Sequence, residues 1–256
     1  MLNIKNIQKI SIKQKIGNII HQILKILYHP IKGQFITINY INLMKKNYKS
    51  IIEKILSKKE NNFQEKNIYI FSIIKIYINN FISLEEKLIH KGHKIFIKEL
   101  EYKISTILNI VDSPHNKTVN LYGIIDRIDE YDGNTRIIDY KIGIYKIKKI
   151  NITLNKIEKI FQNPIYVNIM QLLIYMYLWF KFEHKYQKKP PIITIISPKK
   201  NIYNSIGIIP IHFLKKEKIT YKNYVKFFLP FLIKKISEIL NPNIPILENK
   251  NKINNF

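Results

Sequence analysis

The chain has 256 residues, enough for one well-buried domain or one domain with an appended helical part, and a single domain over 1–256 is expected. It has no cysteine, which excludes disulfides, thiolate metal sites and a cysteine-held iron–sulfur cluster and fits a reducing, cytoplasmic setting. A formal net charge of +25 favours a polyanionic partner such as nucleic acid, although lysine recurs along the whole chain and much of it is equally solvated surface; no apolar run reaches the ~20 residues of a membrane span, so no membrane partner is expected.

In chain order, Ile12, Ile16, Ile19, Ile20, Ile23, Leu24 and Leu27 recur at helical spacing and predict an amphipathic helix over 9–27 that Pro30 closes. This basic N-terminus lacks an apolar stretch followed by small residues, so it does not read as a secretory signal. Gly17 and His21 fall four apart on one helix face, and the glycine lets another backbone approach closely. Helical patterns follow over 51–56 and 68–81, separated by a polar linker over 57–66, with Lys45, Lys46, Lys58 and Lys59 turned to solvent or to a nucleic acid. From Ile95 the period becomes that of a strand, in which Glu99 and Glu101 share a side, and Asp112 to Asn116 form a turn.

Residues 122–141 then read as two short strands joined at Asp132-Gly133, a strong hairpin signal. Alternation puts Asp139 and Lys141 on one face and Tyr140 on the other. Asp126 lies among Ile124, Ile125 and Ile128, where an unaccompanied carboxylate is costly, and the hairpin brings it towards Asp139. Two converging carboxylates with a lysine beside them suit a hard divalent cation, which takes one or two carboxylates and fills its shell with water and phosphate. Such a site suits phosphodiester hydrolysis. The only arginines, Arg127 and Arg136, both fall in the hairpin and are candidate phosphate contacts, with cross-strand pairing to Asp129 or Glu130 as the equal alternative.

After Lys141 and Gly143, the lysines at 146, 148 and 149 form a basic loop able to track a phosphate backbone. A helix is expected from Tyr166 to about His184, with Gln171 and Tyr175 one turn apart on one face, where an amide and a phenol either bond to phosphate or base edges or pack. Ile192 to Ile196 is a compact apolar strand, Ile206 to Phe213 pairs beside it, and Tyr221 to Leu240 is a closing helix interrupted or kinked near Pro230. The tail from Asn241 is expected to fray.

Gly-Ile-Ile-Asp-Arg-Ile-Asp at 123–129, followed by Arg-Ile-Ile-Asp-Tyr-Lys-Ile-Gly at 136–143, closely resembles the motif of RecB-type nucleases in the PD-(D/E)XK superfamily. Three further family features are matched in the same order. Gly17 to His21 resembles an upstream Gly-x-x-x-His helix, Glu101 a strand glutamate (Glu99 if the register is off by two), and Gln171 to Tyr175 a downstream Gln-x-x-x-Tyr helix. The resemblance implies an α/β, restriction-endonuclease-like fold with a central mixed sheet flanked by helices. A helical part over 1–90 would carry the histidine, a catalytic core would span 91–240, and 241–256 would be tail.

It further implies that His21, Asp126, Asp139 and the Tyr140 carbonyl hold Mg2+ or Mn2+. Asp126, Asp139, Lys141 and Glu101 would be the catalytic set, Lys141 positioning the attacking water, and Gln171 and Tyr175 would face the substrate. Ile142 departs from the family, which commonly has Thr there. The implied activity is metal-dependent DNA cleavage in repair or recombination beside a helicase, since the chain shows no Gly-Lys-Ser/Thr phosphate loop of its own. The alternative is a DNA-binding or scaffolding subunit of a helicase–nuclease assembly that does not cut.

Overall fold

Ile16, Ile19, Ile20, Ile23, Leu24, Leu27 and Tyr28 form one buried stripe along helix α1 (Ile12–Tyr28), and Pro30 turns the chain into the short 3-10 segment His29–Ile31. The computed structural model describes residues 12–59, 65–112, 115–142, 150–152, 157–182, 190–197, 207–213 and 221–245. The basic loop at 146, 148 and 149 and the end of the tail lie outside them. Helices α2 (Ile38–Lys59) and α3 (Glu65–His90) complete the N-terminal layer. There follow strands β1 (Ile95–Asp112), β2 (His115–Tyr131), β3 (Asn134–Tyr140) and β4 (Ile150–Ile152), helices α4 (Ile157–Gln162) and α5 (Val167–Phe182), strands β5 (Ile192–Ser197) and β6 (Gly207–Phe213), and helix α6 (Tyr221–Leu240).

The strands form one mixed sheet in the order β1-β2-β3-β5-β6-β4. Pairs β1–β2, β2–β3 and β5–β6 are antiparallel, whereas β3–β5 and β4–β6 are parallel. The isoleucines of β5 (192, 193, 195 and 196) and the Ile137–Ile138 pair of β3 are what strands buried on both faces require. Ile138, Tyr140 and Ile196 pack into the core built by α1, α2 and α3, while Ile137, Ile193 and Ile195 pack into a second core with α5 and α6. A mixed sheet between two helical layers is the restriction-endonuclease-like α/β fold expected from the sequence.

The hairpin turn has the expected form: Asp132 and Gly133 take φ of 48° and 75°, the left-handed pair that matches the twist of the flanking strands. Other elements differ. The β1–β2 ribbon runs for 18 and 17 residues, well beyond the short strands expected. Within β1 the register shifts between Ile97 and Glu99, and Glu101 takes φ of 48°, so strict alternation fails there. Leu100 and Arg127 accordingly face the N-terminal layer, whereas Tyr102 and Ile125, one register step further, pack against α5 and α6.

Helix α6 continues through Pro230 and is not interrupted there. Two helical stretches, Ile68–His90 and Pro164–Phe182, are long and apolar enough by length and composition to cross a membrane. Counting only uninterrupted apolar residues misses them, because isolated residues such as Asn79 and Gln171 break the runs. The second of these is the core helix beneath the sheet, with Leu172, Leu173, Met176 and Tyr177 buried.

Candidate metal centre

Strand β2 leaves β3 after the Arg127–Ile138 pair, and the next residue, Asp126, closes the gap with its side chain: the Tyr140 N–H donates to Asp126 Oδ2 at 2.7 Å. The histidine face of α1 lies over this point. His21 Nδ1 is 3.1 Å from Asp126 Oδ1, and Nε2 is 3.0 Å from the Tyr140 carbonyl oxygen. Both partners are acceptors, so whichever ring nitrogen carries a proton donates to one of them. Burial pulls the His21 pKa down, but the hydrogen bond and charge of Asp126, helped by Asp139, outweigh it and leave the pKa raised.

Glu101 completes this cluster: among the described residues, ligand atoms of His21, Glu101 and Asp126 all lie within 4.8 Å of one another. Burial and the Asp126 charge raise the Glu101 pKa. The two β1 glutamates, which strict alternation would place side by side, part company. Glu99 binds Lys32 Nζ at 2.6 Å, and Glu101, in its left-handed conformation, goes to the centre.

Asp139 stands opposite Asp126, one position beyond the last β2–β3 pair. It is 2 % exposed, and burial and the Asp126 charge push its pKa up to about 7 against the pull of Lys141. Lys141 Nζ donates to Asp139 Oδ1 at 2.9 Å and also lies 2.9 Å from the buried Oδ2. The same ammonium donates to Gln171 Oε1 at 2.9 Å, and Gln171 Nε2 donates to Tyr175 Oη at 2.8 Å. The two residues one turn apart on α5 thus meet the lysine in a single chain of polar contacts.

Tyr175 in turn packs on Gly123, where an added Cβ would lie 2.5 Å from Tyr175 Cε1. Gly123→Ala is therefore expected to push the ring off the ribbon and destabilise the protein by about 1–3 kcal/mol, read by chemical denaturation. Gly17 has no such need of being glycine: a Cβ there would meet only Ile142 Cδ1 at 3.5 Å, an ordinary contact. Close backbone approach at Gly17, expected from the sequence, is not what the structure shows, and Ile142 fills that side of the site with an apolar contact.

The two arginines are placed differently from a phosphate contact. Arg127 is fully buried against the N-terminal layer, donating to Glu85 Oε1 at 2.7 Å, to Asp129 Oδ2 and to Tyr140 Oη, with its guanidinium 4.7 Å from the Tyr28 ring centroid. Arg136, also buried, donates from Nε and Nη2 to the two Asp129 oxygens at 2.8 Å and stacks on Tyr131. The substrate-binding expectation for Arg127 and Arg136 is corrected: an enclosed guanidinium already bound to carboxylate has no access to a phosphate, and pairing with Asp129 is the arrangement found. Sequence alone carried one signal for this, the alternation of Arg127 with Asp129 on β2, but Glu85 comes from α3 and no local pattern points to it.

An imidazole, a carbonyl oxygen and three carboxylates fit a hard divalent ion. Burial and, after it, the charge of Asp126 raise the Asp139 pKa, as expected where buried acids converge on one point. The family model of the PD-(D/E)XK nuclease superfamily matches residues 2–251. No curated protein matches the chain.

Proposed function

The chain belongs to the PD-(D/E)XK nuclease superfamily, and from that premise we propose that it is a RecB-type deoxyribonuclease dependent on Mg2+ or Mn2+. The observation that carries the reading is the meeting of His21, Glu101, Asp126 and the Tyr140 carbonyl at the point where β2 and β3 part, with the Asp139–Lys141 pair beside it. His21, Asp126, Asp139 and the Tyr140 carbonyl would hold the ion, and Glu101 supports it or its water. A divalent ion in such a cage polarises a phosphoryl oxygen and acidifies a water molecule.

The protein's own groups supply the rest. Lys141, held on two sides by Asp139 and Gln171, orients the attacking water and offsets the charge that builds on the phosphate. The ammonium only donates, so the Gln171 oxygen faces it, and the amide nitrogen is left to donate to Tyr175. A place in DNA repair or recombination beside a helicase, in the cytoplasm, is the setting we propose for this activity, on the strength of the RecB-type motif order.

The test is cleavage of labelled single- and double-stranded DNA with Mg2+ or Mn2+, with chelator, and by Asp126→Ala and Asp139→Ala. Wild-type cleavage that chelator and both substitutions abolish is the expected result. Cutting by the variants at the wild-type rate would reject the assignment. A readout independent of turnover is available: Mn2+ at about a hundred times its Kd should add roughly 2.7 kcal/mol to wild-type stability in thermal unfolding, and nothing to Asp126→Ala.

A further inference from the structure

Beyond the metal centre the β1–β2 ribbon continues past the edge of β3, its strands pairing with each other from Tyr102–Ile125 to Asp112–His115. One face is covered: Ile104 and Leu108 are buried in the core with α5 and α6, and Gly123 lies against Tyr175. The other face is open. Register pairs Lys103 with Ile124, Ser105 with Tyr122 and Ile107 with Asn120, and all six side chains are exposed, Tyr122 to 74 % and Ile107 to 70 %. Two residues inward of Lys103 and Ile124 are Glu101 and Asp126, which the ribbon register skips and which cluster with His21, so the face starts at the metal centre.

An exposed tyrosine flanked by two isoleucines costs solvation free energy, which calls for an occupant. The chemistry of the face says which. Between Glu101 and Asp126 at its root and position 111 on one strand and 116 on the other there is no acid, in a chain that has 18 of them. Lys103 supplies a cation at the inner end, and Ser105, Asn109 and Asn120 supply donors and acceptors between the apolar residues. Aromatic and apolar platforms interleaved with a cation and amides suit unpaired bases, whose flat faces stack while phosphates meet lysine. A duplex hides those faces, so Tyr122 would have nothing to stack on.

We infer that the outer face of the β1–β2 ribbon is a platform for a single nucleic-acid strand, which it leads into the metal centre. The inference rests on the nuclease reading for the identity of its ligand class. From Asp126 to Asn120 the ribbon spans roughly 20 Å, enough for a few stacked nucleotides.

The experiment uses the full chain with chelator present, so that binding is separated from cleavage. Oligothymidylate of about 20 nucleotides, within the range of known single-strand sites, is titrated against wild type, Tyr122→Ala and Tyr122→Trp, with a blunt duplex of equal length in parallel. Loss of one stacked base predicts about a tenfold weaker hold on the single strand for Tyr122→Ala, with duplex binding unchanged. The new indole in Tyr122→Trp should be quenched by the single strand and not by the duplex.

If Tyr122→Ala binds the single strand as wild type does and the indole is not quenched, the platform is rejected, even where Asp139→Ala shows that the nuclease reading holds. Conversely, binding that depends on Tyr122 in a protein that cuts nothing would uphold the platform and reject the nuclease reading. A change of oligomeric state in Tyr122→Ala by sedimentation, with strand affinity intact, would assign the face to a second copy of the chain and overturn the inference.

Discussion

Replacing Lys141 by alanine is expected to slow DNA cleavage about 10²- to 10³-fold, the cost typical of removing one positioned donor from a developing charge. Divalent-ion binding should persist or tighten, because the substitution removes a cation 2.9 Å from Asp139 while leaving every proposed ligand in place. That separation distinguishes Lys141 from the aspartates, whose loss removes ion and activity together. The ammonium is held between both Asp139 oxygens and Gln171 Oε1, which fixes its position.

Gln171→Ala should therefore cost less, about tenfold, by freeing one side of the lysine. In the Lys141→Ala background the same change should cost almost nothing, since two residues acting as a unit are not additive. Initial rates for the four proteins, with metal affinity from thermal shifts, decide the matter. Independent, multiplying effects would show that Gln171 acts on the substrate directly and not through the lysine.

What could be read in advance follows the range of the forces involved. The Asp132-Gly133 turn and the sharing of one face by Asp139 and Lys141 depend on neighbours in sequence, and strand alternation settles them. The same rule misleads in β1, where the register shift after Ile97 and the positive φ of Glu101 send Glu99 to Lys32 and Glu101 to His21 and Asp126. Neither irregularity has a glycine to announce it. The arginines mislead for a different reason: a charge is read as solvated unless its partner is in view, and Glu85 is 42 residues from Arg127. The length of the ribbon was hidden because its outer face carries Ile107, Tyr122 and Ile124, which blur the alternation of apolar and polar residues.

The enclosed arginine predicts the largest effect on stability. Arg127→Met leaves Glu85 and Asp129 buried with lost partners, and removing one member of such a network typically costs about 3–5 kcal/mol. Cleavage should weaken as well. The Tyr140 phenol accepts from Arg127 at 3.2 Å, while the backbone of the same residue bonds to Asp126 and His21. Removing the charges together, as in Arg127→Met with Glu85→Gln and Asp129→Asn, should restore part of the loss, because the penalty lies in the unpaired charge and not in the absent bond.

The dependence on acid separates this account from simple loss of volume. Burial raises the Asp129 pKa, but Arg127 and Arg136 more than offset it and hold it below the ordinary carboxylate value. The unfolded chain therefore binds a proton that the folded chain refuses, in the window between the lowered folded value and ~3.9. The stability Asp129 contributes is complete above that window and is lost as pH falls through it. Chemical denaturation of wild type and Asp129→Asn from neutral pH down to about pH 3 should show the difference between the two proteins shrinking towards the acid end; a constant difference would mean that packing, and not the paired charge, holds this side of the sheet together.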